Sequence, residues 1–294
     1  MNKRTLGKII LFIASFLWGM GFIATDIALS NGWQPFAILS FRGLVSSIVL
    51  IPFTLKTKWY KNMPFIKDSI IAGIVLSAAF CLQVIGQQLT TTSNASFLTA
   101  LYVVFVPFLG FVFQKRKFEK KVYFCAILAL IGSAILSVSN DLSINVGDFI
   151  VIGSAVLYGA HFLVVERISH YNDPTALTTI QLLVMGVSCL ILQIIFKQTY
   201  HVAGLMSVLF LALIGSGIAF FMQIFGQQYL DSPTASLILT LEGVWGALGA
   251  VLILGEPFTL KLLLGGGLLL ISIYLIEYQP SKKRIKKYRN YSKK

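Results

Sequence analysis

Arg42 lies deep in an apolar run, just after Ser40-Phe41, and Glu242 is the most deeply placed acid of the chain. A charge at the middle of a bilayer costs about 2.5–3.5 kcal/mol on insertion scales, so a lipid-facing position for Arg42 is disfavoured. Arg42 is suited to holding an anion or carboxylate from a cavity. The competing reading makes it a structural partner of Glu242 or of helix-end carbonyls. Glu242 can hold a solute amine or carry a proton, or serve as a hydrogen-bonded packing residue. Trp245 follows three residues later and shares a helical face with Glu242. It can stack on a solute or fill lipid-facing space.

Tyr158 and His161 are also three apart. A lone histidine in an apolar helix is commonly structural, and His170 and His201 fall in loops, so no convergent metal-ligand set is expected. Gln83 with Gln87, and Gln223 with Gln227, stand at i,i+4 and share a face. Such amides can bond a polar solute or the neighbouring helix, where these bonds average about 0.6 kcal/mol. With Trp18 and Tyr102 added, the candidate substrate-contacting set is Trp18, Arg42, Gln83, Tyr102, Tyr158, His161, Gln223, Glu242 and Trp245.

The elements that must carry these residues are transmembrane helices. The chain is 56% hydrophobic and only 12% charged, against about 25% charged in soluble domains. A spanning helix needs about 20 mostly apolar residues. Ten candidates fit, at about 8–25, 35–55, 69–89, 94–113, 122–139, 148–165, 176–196, 203–225, 235–254 and 260–278. Strands are excluded as spans, because the segments lack the alternation of a barrel. Cys81, Cys125 and Cys189 each fall in an apolar run without a CxxC pattern and read as packing residues. The basic start, Met1 to Lys8, runs on through Trp18-Gly19-Met20-Gly21-Phe22 with no small-residue cleavage site, and reads as an uncleaved first helix. Small residues at Gly243, Gly246, Gly249 and Gly265-Gly266-Gly267 read as close helix packing, and Pro107 as a kink.

The net charge of +13 is arranged in clusters between apolar runs. With a cytoplasmic N-terminus, 21 of the 24 Lys and Arg fall on the cytoplasmic side and only Lys197 and Lys261 outside. That bias fixes the expected orientation, with both ends cytoplasmic, and argues against a nucleic-acid surface. Eight of those cations are in the tail from Ser281 to Lys294, which suits an anchor beside anionic lipid heads.

Shifted by 140 residues, the chain matches itself. Phe80-Cys81-Leu82-Gln83-Val84-Ile85-Gly86-Gln87-Gln88 falls on Phe220-Phe221-Met222-Gln223-Ile224-Phe225-Gly226-Gln227-Gln228. Ala95-Ser96 falls on Ala235-Ser236, Leu17-Trp18-Gly19 on Leu157-Tyr158-Gly159, and Phe22 on Phe162. Five helices per unit is an odd number, so the second unit enters the membrane from the opposite side, as in the inverted repeats of secondary transporters.

Trp18-Gly19, Ala235-Ser236, Leu241-Glu242-Gly243-Val244 and Leu254-Gly255-Glu256, on this duplicated frame, resemble the drug/metabolite transporter superfamily of EamA type, from about Leu6 to Tyr278. The resemblance implies secondary transport of metabolites, often export, through a central cavity lined by helices 1–4 and 6–9. The chain departs from it twice: Glu242-Gly243 stands where many members have Glu-Pro, which puts the kink there in question, and Lys115-Arg116 stands opposite Gly255-Glu256.

The expected architecture is therefore all-α and polytopic, with ten spans as a 5+5 inverted repeat: residues 1–140, residues 141–280 and a basic cytoplasmic tail, 281–294. The expected function is transport of a small metabolite, such as an amino acid, across the plasma membrane. A lipid-flippase-like carrier and a polytopic membrane enzyme are the alternatives. Short loops poor in His and acid weigh against the enzyme, and the lack of a nucleotide-binding loop against ATP drive. No cofactor is expected. The expected partners are a small-molecule solute, the lipid bilayer and a coupled proton, but no nucleic acid; assembly as a homodimer is left open.

Overall fold

The computed structural model describes residues 2–55, 57–115, 119–137 and 146–277. The basic tail, 281–294, and Arg116 lie outside the described residues. Among those described there is no strand. In chain order the helices are α1 Lys3–Ser30, α2 Pro35–Thr54, α3 Met63–Gln87, α4 Thr92–Thr99, α5 Tyr102–Gln114, α6 Lys120–Ser137 and α7 Val146–Ile168. They continue with α8 Pro174–Ile195, α9 Leu205–Phe210, a π-helical segment Leu211–Ile218, α10 Ala219–Gln227, α11 Ser232–Leu239, α12 Leu241–Ile253 and α13 Leu260–Glu277. With α4–α5, α9–α10 and α11–α12 each counted as one crossing, eight segments among the described residues are long and apolar enough to span a membrane. The other two helices, α6 and α13, pack against each other.

Local chemistry sets the helix ends. Thr91 and Asp231, 140 residues apart, each accept a hydrogen bond from a backbone N–H of the first turn they precede, at 3.1 and 3.2 Å. Proline opens α2 at Pro35 and α8 at Pro174, where the missing N–H has no partner to lose. The outward faces are apolar, with Phe53, Phe113, Ile194 and Leu252 all exposed, as suits side chains with hydrocarbon for solvent.

Two sequence expectations change. The crossings expected at 94–113 and 235–254 are each broken, at Ala100–Leu101 and at Thr240, which are the same place in the two repeats. Pro107 is not at the break; it lies inside α5. Threonine hydroxyls turned back onto the preceding turn accompany both breaks: Thr99 bonds the Ala95 carbonyl and Thr240 that of Ser236, each at 2.8 Å. Such back-bonding bends helices. The bend beside Glu242 thus forms without the family's proline.

The halves interlock by symmetric contacts. A Cβ on Gly7 of α1 would lie 3.2 Å from the Gly226 carbonyl of α10, and one on Gly147 of α7 would lie 2.8 Å from the Gly86 carbonyl of α3. Gln87 donates to the Phe22 carbonyl at 2.8 Å, and its counterpart Gln227 to the Phe162 carbonyl at 3.3 Å. Thr92 bonds Asp26, and Ser232 bonds Glu166. Loop 88–91 therefore lies by Asp26, and loop 228–231 by Gly7. Those residues stand about 28 Å apart along α1, at opposite ends of the bundle.

Gly243, Gly246 and Gly249 do pack tightly: a Cβ there would meet Phe97 at 2.8 Å, Ser96 at 2.7 Å and Ile23 at 2.9 Å. Gly266 and Gly267 do not, the nearest atom to a Cβ on Gly266 being 3.9 Å away and none lying within 4 Å for Gly267. The cysteines are free, but Cys81 of α3 and Cys189 of α8 bring their sulfurs to 3.7 Å.

Candidate functional site

Where the broken crossings meet α1, α3, α7 and the π-helical segment, a cavity encloses about 530 Å³ of empty space, its mouth included. Six repeat-related pairs supply most of its wall: Trp18/Tyr158, Gly21/His161, Phe22/Phe162, Phe80/Phe220, Gln83/Gln223 and Tyr102/Glu242. Breaking α4–α5 and α11–α12 at one repeat position puts Tyr102 and Glu242 in the first turn beyond each break.

Eight of the nine candidate residues converge here: Trp18, Arg42, Gln83, Tyr102, Tyr158, His161, Gln223 and Glu242. Trp245 does not. It sits between α1 and α12, with edge contacts to the exposed rings of Phe12 and Phe16 at 5.9 and 5.6 Å and its Nε1 bonded to Ser15 Oγ at 3.3 Å. The i+3 spacing from Glu242 turns it past the cavity onto the bundle's outer face.

Arg42 is 4% exposed, and Glu242 likewise. The Arg42 Nε donates to Ser216 Oγ at 2.9 Å, and its guanidinium carbon lies 4.3 Å from the centre of the Phe80 ring. No ion pair joins Arg42 to Glu242, so of the two structural readings neither the Glu242 partnership nor a helix-end carbonyl holds: the partner is a serine hydroxyl. Arg42 lines the cavity, and a guanidinium's planar donor fork is matched to a carboxylate.

The remaining polar groups form short networks. Tyr158 donates to Gln83 Oε1 at 2.9 Å, and Gln83 donates to Thr99 at 3.2 Å. His161 bonds Gln181 at 3.0 Å. Gln223 donates to Gln227 at 3.0 Å. Among the described residues four buried polar atoms lack a hydrogen bond of good geometry: Trp59 Nε1, away from the cavity, the Gln181 side-chain nitrogen, the Gln223 side-chain oxygen and Tyr102 Oη, which lies beside Glu242 and Thr240. A buried polar atom left unpaired costs about 1–3 kcal/mol, so two of these, Tyr102 and Gln223, are groups of the cavity wall that a polar solute would satisfy. The four glutamines, alike in sequence, divide only in part: Gln83, Gln87 and Gln223 line the cavity, while Gln87 and Gln227 also tie helices.

Sequence reasoning missed Thr25, Thr99, Gly215 and Ser216. The first three line the wall and the last holds Arg42. For Thr25 and Thr99 the signal was available as small polar residues one turn from Gly21 and Gln83's partner helix. For Gly215 and Ser216 it was not, because their placement depends on the π-helical turn.

Among the described residues there is no strand, and eight segments are long and apolar enough to cross a membrane around a cavity shared by two repeats, which marks a multi-pass membrane protein. The model of the EamA-like transporter family matches it twice, over residues 5–138 and 145–278, and the chain belongs to that family. An uncharacterized transporter of Archaeoglobus fulgidus is 27% identical over 276 residues, covering 93% of this chain and 86% of the relative. An uncharacterized inner membrane transporter of Salmonella typhimurium is 24% identical, covering 96% and 99%. A solved crystal structure superposes with a TM-score of 0.76 over 93% of this chain and 97% of its own, at 15% identity, a likeness of fold.

Proposed function

We propose that this protein is a secondary transporter that exports a small zwitterionic metabolite, an α-amino acid or close relative, across the plasma membrane by alternating access. One observation carries the reading: a single cation, Arg42, and a single acid, Glu242, line the same buried cavity from different repeats without pairing with each other. A zwitterion satisfies both at once. Its carboxylate takes the Arg42 fork and its ammonium takes Glu242, while the rings of Phe22, Phe80, Phe162 and Phe220 receive an apolar side chain.

The reading takes the chain as ten spans in two inverted five-helix halves, residues 1–140 and 141–280, with both termini cytoplasmic. The opposite placement of loops 88–91 and 228–231, and the 21-of-24 bias of Lys and Arg, support it. Export follows the family resemblance. Glu242 is the group that carries a coupled proton, since it is the acid of the cavity wall. The site is built for holding and releasing: it presents no nucleophile paired with a base, and that supports carriage over catalysis.

The test is uptake of radiolabelled leucine into proteoliposomes of the purified chain, with and without a pH gradient. Isoamylamine, which lacks the carboxylate, and 4-methylpentanoate, which lacks the amine, serve as competitors. Wild type should prefer leucine to both; Arg42→Gln should erase the preference over isoamylamine, and Glu242→Gln that over 4-methylpentanoate. Leucine and a panel of other amino acids left unmoved, or variants that keep both preferences, would overturn the assignment.

A further inference from the structure

α3 runs unbroken from Met63 to Gln87, but its repeat counterpart does not. Between α9 and α10 the backbone widens into the π-helical segment Leu211–Ile218. π-Helical turns are rare and cluster at functional sites. Here three side chains of the first repeat grip the wide turn. Trp18 Nε1 donates to the Gly215 carbonyl at 3.0 Å, Ser46 Oγ to the Ala212 carbonyl at 2.6 Å, and Arg42 Nε to Ser216 Oγ at 2.9 Å. Ser216 is fully buried.

The glycines of this turn are unlike the packing glycines. At Gly19, Gly43, Gly86 and Gly226 a Cβ would lie within 2.7 Å of a neighbouring helix. At Gly215 the nearest atom is 3.8 Å away, and at Gly217 it is 3.5 Å away. A methyl fits at both. What these positions lack is a side chain that would favour ordinary α-helix over the wider turn.

The cavity face shows what the turn does. Leu211, Gly215, Phe220 and Gln223 all line the cavity, with a step of five between Gly215 and Phe220. In an α-helix five residues advance about 500°, leaving the second about 140° off the face of the first. The i→i+5 bonding of a π-helix brings residues five apart back into line. In α register Gly215 would leave the wall when Phe220 faced it, and Ser216, one residue on, would turn with it away from its present place beside Arg42.

We propose that Ser216 is the positioning residue of Arg42, and that the π-helical turn at Leu211–Ile218 carries its hydroxyl to the guanidinium. By occupying Nε, Ser216 leaves the two terminal nitrogens of Arg42 aimed into the cavity as a bidentate carboxylate clamp. This rests on Arg42 being the carboxylate contact of the transported solute. It goes further in making the affinity for carboxylates depend on the register of a helix in the other repeat.

The experiment uses the full chain in proteoliposomes, with leucine uptake and its inhibition by isoamylamine. Ser216→Ala and, separately, Gly217→Ala should each raise the KM for leucine about tenfold, equivalent to about 1.4 kcal/mol. Maximal rate should stay within about twofold, and the inhibition constant of isoamylamine, which has no carboxylate for Arg42 to hold, should not move. A general packing defect would weaken both molecules together. Unchanged leucine KM in both variants, or an equal loss for leucine and isoamylamine, overturns the proposal. If Arg42→Gln also leaves leucine uptake unchanged, it is the Arg42 assignment that fails. Independently of any solute, Ser216→Ala should speed hydrogen exchange at the amides of residues 211–218 at least tenfold in the solubilised chain. Unaltered protection there refutes the link between Ser216 and the turn.

Discussion

Gly43→Ala puts the crossing of α2 and α8 under a measurable load. A Cβ at residue 43 would lie 2.5 Å from the Gly186 nitrogen, 2.6 Å from its Cα and 2.8 Å from the Leu182 carbonyl oxygen. All three are backbone atoms, so no side chain can swing aside. Ordinary contact starts at 3.4 Å, and the helices must part by about 0.9 Å to reach it. The same seam carries the Ser40–Gln193 hydrogen bond at 2.5 Å, and Gln198 Oε1 accepts from the backbone nitrogens of Phe36 and Ala37 at 2.8 and 3.1 Å. A parting of that size takes the last two beyond the usual 3.2 Å limit. Overpacking costs about 1–3 kcal/mol and each interhelical bond about 0.6 kcal/mol, so the expected loss is about 2–4 kcal/mol. Reversible unfolding of the solubilised protein in a graded detergent mixture reads this directly. Gly267→Ala, where no atom lies within 4 Å, is the matched control and should stay within about 0.5 kcal/mol. Equal stability of Gly43→Ala and wild type would show that α2 and α8 do not cross at these glycines.

Gln87→Leu removes the bond to the Phe22 carbonyl; Gln227→Leu removes the bond to the Phe162 carbonyl and also strips Gln223 and Ser232 of a partner. Both should lose about 0.5–1.5 kcal/mol in the same unfolding assay. Trp245→Phe, outside the cavity, should leave both preferences over the leucine analogues untouched in competition assays. Glu242→Gln should insert normally, as judged by membrane yield, and flatten the dependence of leucine uptake on an imposed pH gradient. Reporter tags in loops 88–91 and 228–231 should label from opposite faces of intact cells; labelling from one face would remove the inverted repeat.

Eight of the ten expected spans were legible, because apolar runs of about 20 residues leave little else to build in a bilayer. So was the shared cavity, since the 140-residue shift already aligned Trp18 with Tyr158 and Gln83 with Gln223. Three things were not. The breaks before Tyr102 and Glu242 are accompanied by threonine back-bonding and do not fall at Pro107, and threonine in an apolar run gives no sign of which carbonyl it will bond. Trp245 follows Glu242 within one helix, α12, but three residues advance about 300°, and that offset of about 60° is enough to carry it out of the cavity. The bond from Arg42 to Ser216 falls in the π-helical segment Leu211–Ile218, which also accepts bonds from Trp18 and Ser46, and apolar periodicity carries no sign of a π-helical turn.

Duplication explains the shape of the cavity but cannot by itself explain its charges. The rings and glutamines recur in pairs, yet the ionisable groups do not: Glu242 answers Tyr102, His161 answers Gly21, and Arg42 answers Leu182. Tyr102 and Glu242 line one small cavity from equivalent positions. A faithful copy would set two carboxylates there, and like charges sharing a buried site oppose each other's ionisation. Keeping the frame symmetric while breaking the chemistry leaves one anchor of each sign, each on a different repeat. Under the proposed function, a solute bearing both charges is the species that bridges the repeats, and a solute bearing one leaves a buried charge uncompensated. On that logic selectivity and closure are the same event, and exchanging the tyrosine and the acid by Tyr102→Glu with Glu242→Tyr should preserve leucine preference better than either change alone.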